Sequence, residues 1–272
     1  MTMKIASILK DILDNKREEL KAQKEVVSLA ELKKAVAAGL PDTISFIKTL
    51  EAKGVSIIAE VKKASPSKGV IREDFNATKI ARIYDENSAS ALSVLTDKKF
   101  FQGSLDYLRS IRKITKLPIL RKDFIIDQYQ IYESRLAGAD AILLIVGALS
   151  PKNLKEFLVL TASLGMDALV EVHNEEELDV AIEAGSAIIG INNRDLNTFM
   201  TDIRTTERLA MKIPSTTVIV SESGINTFVD IRMLKLCGVD GFLIGEALMR
   251  EEDIGKKLRE FRGLGGLESE MF

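Results

Sequence analysis

Eight short apolar, β-branched runs recur along the 272-residue chain, and they restrict its fold more than any other feature. They read VSIIAEV from Val55, ALSVLT from Ala91, PILRKDF from Pro118 and AILLIV from Ala141. The series continues with DALVEV from Asp167, IIGINN from Ile188, TVIVSES from Thr217 and GFLIGEA from Gly241. Amphipathic segments with helical spacing lie between them, at Ala77–Tyr84, Leu105–Ile114, Gln130–Leu136, Leu154–Leu164, Glu176–Ile182, Thr205–Ala210, Phe228–Leu236 and Ile254–Phe261. Strand then helix is the repeating unit of a parallel sheet. Gly138, Gly165, Gly185 and Gly238 stand just before strands, where helices stop. Eight such units predict a closed (β/α)8 barrel. A doubly wound open sheet is the alternative. Its Gly-x-Gly-x-x-Gly turn after the first strand is missing, because Lys62-Lys63-Ala64-Ser65-Pro66-Ser67 stands there.

The remainder gives an α/β TIM barrel over 55–262, an N-terminal helical extension over 1–54 packed on it, and a loose Gly-rich tail over 263–272. In the extension, Ile5, Ile8, Leu9, Ile12 and Leu13 form one apolar helical stripe. Ser28-Leu29-Ala30-Glu31 reads as a capping box opening a second helix, which Gly39 and Pro41 end. A third short helix is expected from Ile44 to Glu51. From pattern alone, these helices either plug the barrel bottom or border its mouth.

Composition removes several function classes. Hydrophobic residues make up 46% of the chain, enough for a large core, while the formal net charge of −2 argues against non-specific nucleic-acid binding. A single cysteine, Cys237, excludes an intrachain disulfide, and a single histidine, His173, excludes a histidine metal cluster. Cys237 is expected in the core, and His173 reads as structural, at a position where a helix cap could sit. The N-terminal stretch lacks a signal-peptide core, and no run of about 18 uncharged apolar residues occurs. A cytoplasmic enzyme without a membrane partner is the expectation.

A barrel of this kind places its chemistry at the C-terminal strand ends, with side chains alternating inward and outward. Glu60 and Lys62 share a face with Ile58, Lys122 with Leu120, and Glu171 with Leu169; strands 6 and 7 end at Asn192 and Glu222. Two lysines, three glutamates and an asparagine thus converge on one mouth. Charged groups held together perturb each other's pKa and can divide acid and base roles. No metal is implied, because the lysines oppose a cation beside the carboxylates. Loops after strands 7 and 8 commonly hold a phosphate. Here they carry Ser223-Gly224-Ile225-Asn226 and Gly245-Glu246-Ala247, and Ser65 and Ser67 add hydroxyls. Glu246 should turn its side chain away from an anion and offer only its N–H.

The segments from Ile58 to Gly69, Ser93 to Asp97, Leu120 to Phe124, Leu169 to His173, Gly190 to Leu196 and Val220 to Ile225 resemble indole-3-glycerol phosphate synthase. The similarity runs over nearly the whole chain. It implies closure of the indole ring in tryptophan biosynthesis by a carboxy-lyase without a cofactor. The implied substrate is a small sugar phosphate, 1-(2-carboxyphenylamino)-1-deoxyribulose 5-phosphate; the products are indole-3-glycerol phosphate, carbon dioxide and water. It also implies that the N-terminal segment covers the mouth. Lys122 is then expected as general acid, Glu171 as base, and Lys62 as a carboxylate binder sharing the acid role. Glu60 would position Lys62, and Asn192 and Glu222 would hold a substrate hydroxyl or amine. Ser65, Ser223, Gly224, Gly245 and Glu246 would line the phosphate site, with Arg194 organising the mouth. A monomer or weak homodimer is expected. The residues also admit a Schiff-base aldolase using Lys122, and a non-catalytic sugar-phosphate binder.

Overall fold

All eight runs are strands of one closed parallel barrel in the computed structural model, which describes residues 7–195 and 198–264. The strands are β1 (Ser56–Val61), β2 (Ala91–Leu95), β3 (Ile119–Lys122), β4 (Ala141–Ile145), β5 (Asp167–Val172), β6 (Ile188–Asn192), β7 (Val218–Glu222) and β8 (Gly241–Ile244). Each pairs with its sequence neighbours, and β8 closes on β1 from Ser56–Gly241 to Ala59–Ile244. This closure removes the open-sheet alternative.

The intervening helices are α4 (Ala77–Glu86), α5 (Leu105–Arg112), α6 (Gln128–Ala137), α7 (Pro151–Ser163), α8 (Glu175–Glu183), α9 (Arg204–Ala210), α10 (Phe228–Leu236), the short α11 (Glu246–Met249) and α12 (Ile254–Phe261). Short polar side chains cap most of them, such as Ser150 on α7 and Asn174 on α8, each accepting an otherwise unpaired N–H. The four glycines expected to stop helices all have positive φ. Among the described residues, no helix is long and apolar enough to cross a membrane.

Strand alternation divides the core in two. Ile57, Ala59 and Val61 point outward into the layer shared with the helices. Ile58, Leu120, Leu169 and Val220 point inward and fill the barrel. These four lie on the odd-numbered strands, and the next inward residue toward the mouth on those strands is Glu60, Lys122, Glu171 or Glu222. The register therefore raises one charged layer directly above an apolar one.

The extension reaches both ends of the barrel. Helix α3 (Phe46–Leu50) sits at the bottom, with Phe46 and Leu50 buried in the inner cluster. Its N-terminus is fixed by Asp167 at the start of β5, whose Oδ2 accepts the Phe46 and Ile47 N–H groups at 2.8 and 3.0 Å. Helix α1 (Ser7–Val26) lies at the opposite end, where Leu9 and Leu13 pack on Phe124, Ile126 and Ala148. Helix α2 (Leu29–Ala37) opens with the expected capping box and packs Leu32 near Tyr129 of α6. The two sequence readings of the extension thus apply to different helices.

Three expectations need correction. The third helix is shorter than Ile44–Glu51, because Ser45 caps it and moves its start to Phe46. Cys237 is not core: it is the half-buried C-cap of α10. His173 caps nothing, since Asn174 takes that role on α8. Of the expected N-terminal stripe, Ile5 lies outside the described residues, as do Leu196 and the tail beyond Leu264.

Candidate active site

At the C-terminal end of the barrel the strands surround a cavity of ≈ 300 Å³, and the six side chains expected at the mouth all line it. The charged layer forms its floor. Lys122 Nζ lies 2.6 Å from Glu171 Oε2 and 2.7 Å from Glu222 Oε2. Lys62 Nζ lies 2.6 Å from Glu60 Oε1. Asn192 Nδ2 donates to Glu171 Oε1 at 3.3 Å. Glu60, Glu171 and Glu222 are each no more than 3% exposed.

Two even-numbered strands make room for these carboxylates by lacking a side chain. A Cβ on Gly190 of β6 would overlap the Glu222 carboxylate, and one on Gly245, just past β8, would overlap Glu60. Close approach, not a left-handed turn, explains glycine at both places.

Electrostatics separates the two glutamates around Lys122. Burial raises the pKa of each, because it penalises the charged form. At Glu171 the Lys122 ammonium outweighs burial, assisted by His173, and the carboxyl is held well below its ordinary range. At Glu222 burial prevails over Lys122, and the neighbouring Glu171 charge adds to it, so the carboxyl is pushed up to about 7. Burial alone would lower the Lys122 pKa, yet Glu171 and Glu222 more than reverse this and keep it an ammonium. The floor therefore holds a cationic acid, an ionised carboxylate and a carboxyl poised near neutrality.

The rim has two characters. One wall is apolar: Ile8, Leu9 and Ile12 of α1 face Phe101 and Phe124, whose ring centroids are 6.0 Å apart. The other wall carries Ser65, Ser223, Gly224, Gly245 and Glu246. Ser65 Oγ is buried without a hydrogen-bond partner, and Ser223 and Gly224 follow one another at positive φ. The Glu246 carboxylate is engaged by Arg194 at 3.1 Å and Arg250 at 3.0 Å. Arg194 also donates to Ser67 Oγ at 3.3 Å, tying the loop after β1 to the loop after β6 and to α11.

Some participants were not singled out from sequence. Phe101 and Phe124 sit in loops, where no periodicity marks a binding wall. Lys16 had a usable signal: it continues the α1 stripe at the next helical step after Ile12 and Leu13. It is 5% exposed, with its ammonium 3.0 Å from Asp97 and 3.1 Å from Asp123.

Comparison with known proteins bears on what such a mouth is for. The family model for indole-3-glycerol phosphate synthase matches residues 9–261. Curated relatives of that name include one from Acetivibrio thermocellus, 51% identical over 259 residues, covering 94% of this chain and 100% of the relative. Another, from Dehalococcoides mccartyi, is 52% identical over 256 residues, covering 93% and 99%. Among solved structures, the N-acetylmannosamine-6-phosphate 2-epimerase from Clostridium perfringens matches with a TM-score of 0.61 at 14% identity, over 80% of this chain and 98% of that one. A mutant tryptophan synthase α-subunit from Pyrococcus furiosus gives 0.59 at 18% identity, over 76% and 98%. Those two share the fold alone. The family match and the relatives at half identity go further: the chain belongs to the indole-3-glycerol phosphate synthase family.

Proposed function

We propose that this mouth closes the indole ring of 1-(2-carboxyphenylamino)-1-deoxyribulose 5-phosphate, releasing carbon dioxide and water, and that Lys122 is its principal acid. The observation that carries the assignment of roles is the Lys122 ammonium held between two carboxylates whose pKa values are driven apart. The ring carbon bearing the carboxylate attacks the ketone carbon, and Lys122 protonates the ketone oxygen as charge develops. Carbon dioxide departs and leaves its electron pair to the ring. The new hydroxyl leaves as water with a second proton, for which Lys62 is the nearby donor. Glu171, kept ionised, takes the ring proton whose loss restores aromaticity.

The two rim walls fit the two ends of that substrate. The aryl ring suits Ile8, Leu9, Ile12, Phe101 and Phe124, and the phosphate suits Ser65 with the backbone at Gly224 and Gly245. On this reading the extension over 1–54 is part of the functional unit, with the barrel over 55–262. Glu60 positions Lys62, while Asn192 and Glu222 hold a substrate hydroxyl or amine. A monomer or weak homodimer is the expected assembly. An imine-forming aldolase fits poorly, since it needs a neutral amine at Lys122. The direct test adds the carboxyphenylamino substrate and follows indole fluorescence, with little background because the chain has no Trp.

Two further results are expected. Inorganic phosphate should raise the apparent KM and leave kcat unchanged. Inhibition that lowers kcat, or none at all, would remove the assignment of Ser65, Gly224 and Gly245. Turnover should also be indifferent to EDTA: each of the three carboxylates already has one oxygen on an ammonium group, and no group of three or more metal-ligating side chains occurs among the described residues. A loss with EDTA that Mg²⁺ restores would mean that Glu60, Glu171 and Glu222 have been misread.

A further inference from the structure

His173 is the chain's single histidine, and the roles assigned so far leave it idle. It lies just past β5, two residues after Glu171. Its backbone N–H and its Nδ1 both reach Glu177 Oε2, at 2.8 and 3.0 Å. A carboxylate oxygen only accepts, so Nδ1 carries a hydrogen. The other ring nitrogen, Nε2, is buried without a hydrogen-bond partner and stands 3.4 Å from Glu171 Oε1. A bare Nε2 would set its lone pair against a carboxylate oxygen in a dry site, which is costly. A proton must therefore occupy the space between them. Glu171's second oxygen touches the Lys122 ammonium at 2.6 Å, which favours the ionised carboxylate and leaves the proton on Nε2.

Glu177 comes from α8 and Glu171 from β5, with Lys122 of β3 beyond it. The other charges on the packed elements include Glu222 of β7, which shares the Lys122 ammonium at 2.7 Å, and Glu175, Glu176, Asp179 and Glu183 of α8, which are solvent-exposed. The flanking strands β4 and β6 carry no titratable side chain, and neither does the turn Val146–Ala148 packed on β5 and α8. On α7, Lys152, Lys155 and Glu156 are solvent-exposed.

We propose that His173 is a positioning residue for the base: as an imidazolium bridging Glu177 and Glu171, it fixes the Glu171 carboxylate and keeps it ionised before each turnover. The proposal rests on Glu171 being the base of the ring closure. Burial lowers the His173 pKa, but the two carboxylates outweigh it and bring it to about 10, in the direction that the bridging requires.

A lone histidine makes a direct measurement possible. In unaltered protein labelled with ¹⁵N-histidine, both ring nitrogens should appear protonated throughout the working pH range. A bare Nε2 at neutral pH would overturn the proposal, and this readout does not depend on any variant folding. Kinetics supplies the second arm. His173→Phe should lower kcat roughly tenfold, with KM nearly unchanged, and should move the acidic limb of the kcat–pH profile upward. His173→Gln, which keeps a donor without the charge, should recover part of kcat and leave the limb displaced. If Glu171→Gln is inactive while His173→Phe keeps the parent profile, the positioning role is wrong and the base assignment stands. If Glu171→Gln retains activity, the base assignment itself has failed.

Discussion

Lys122→Met is expected to lower kcat for ring closure by on the order of 10²–10⁴-fold, the usual cost of removing a general acid. KM should move far less, because the walls proposed for the aryl and phosphate ends of the substrate are not built by Lys122. The variant should still fold. Losing the ammonium leaves Glu171 and Glu222 facing each other, and two buried carboxylates this close share one proton. Glu222, pushed up to about 7 even beside Lys122, is the group that takes it. A folded protein with collapsed kcat is the expected pattern, its Tm lowered by the loss of the ammonium from buried Glu171. Lys122→Arg should not rescue activity: a guanidinium keeps the charge between the glutamates but releases no proton. Turnover within a few-fold of the parent in Lys122→Met would remove this residue from the chemistry.

The barrel was readable because its signals are local. Each strand is a short apolar run, each stop glycine precedes the next strand, and period-two alternation told which side of β1 holds Glu60 and Lys62. That pair was legible for the same reason, since two residues apart on one strand means one face. The contacts of Lys122 were not. Its partners come from β5 and β7, and only ring closure with a definite stagger brings Glu171 and Glu222 into the same layer. The glycines that make room for Glu60 and Glu222 stayed equally hidden, because a missing side chain announces nothing until its neighbour is known. The surroundings of His173 stayed hidden for a related reason. Its distance from Glu171 was plain, but its tie to Glu177 depends on where α8 begins. The extension posed a different problem, in that one segment serves both ends of the barrel and a single apolar stripe cannot say which helix goes where.

Removing the N-terminal 40 residues should therefore reduce stability as well as activity, and Lys16 is the reason. A barrel complete from β1 onward would need no support from α1, and α3 with Phe46 and Leu50 would remain at the bottom. Yet Lys16 brings the ammonium that faces Asp97, which is fully buried, and Asp123. Burial lowers the Lys16 pKa, and Asp123 and Asp97 overcome this to raise it. Asp123 retains Arg121 at 3.0 Å, so Asp97 is the carboxylate left without a cation. Removing one partner of a buried ion pair costs about 3–5 kcal/mol, and Lys16→Met alone should show it as a lower Tm. Asp97→Asn introduced with Lys16→Met should restore much of the loss, since a neutral amide does not require the ammonium. The pH dependence has a definite sign. Burial raises the Asp123 pKa, but Arg121 and Lys16 depress it below the ordinary value. Its stabilisation is thus complete above about pH 4 and is lost as pH falls below that. The truncated protein loses the same ion pair together with the apolar wall of Ile8, Leu9 and Ile12. It should melt earlier, bind the aryl end more weakly, and still compete with phosphate almost normally, because the loops after β7 and β8 are untouched. An unchanged Tm in Lys16→Met would show that α1 covers the mouth without bracing it.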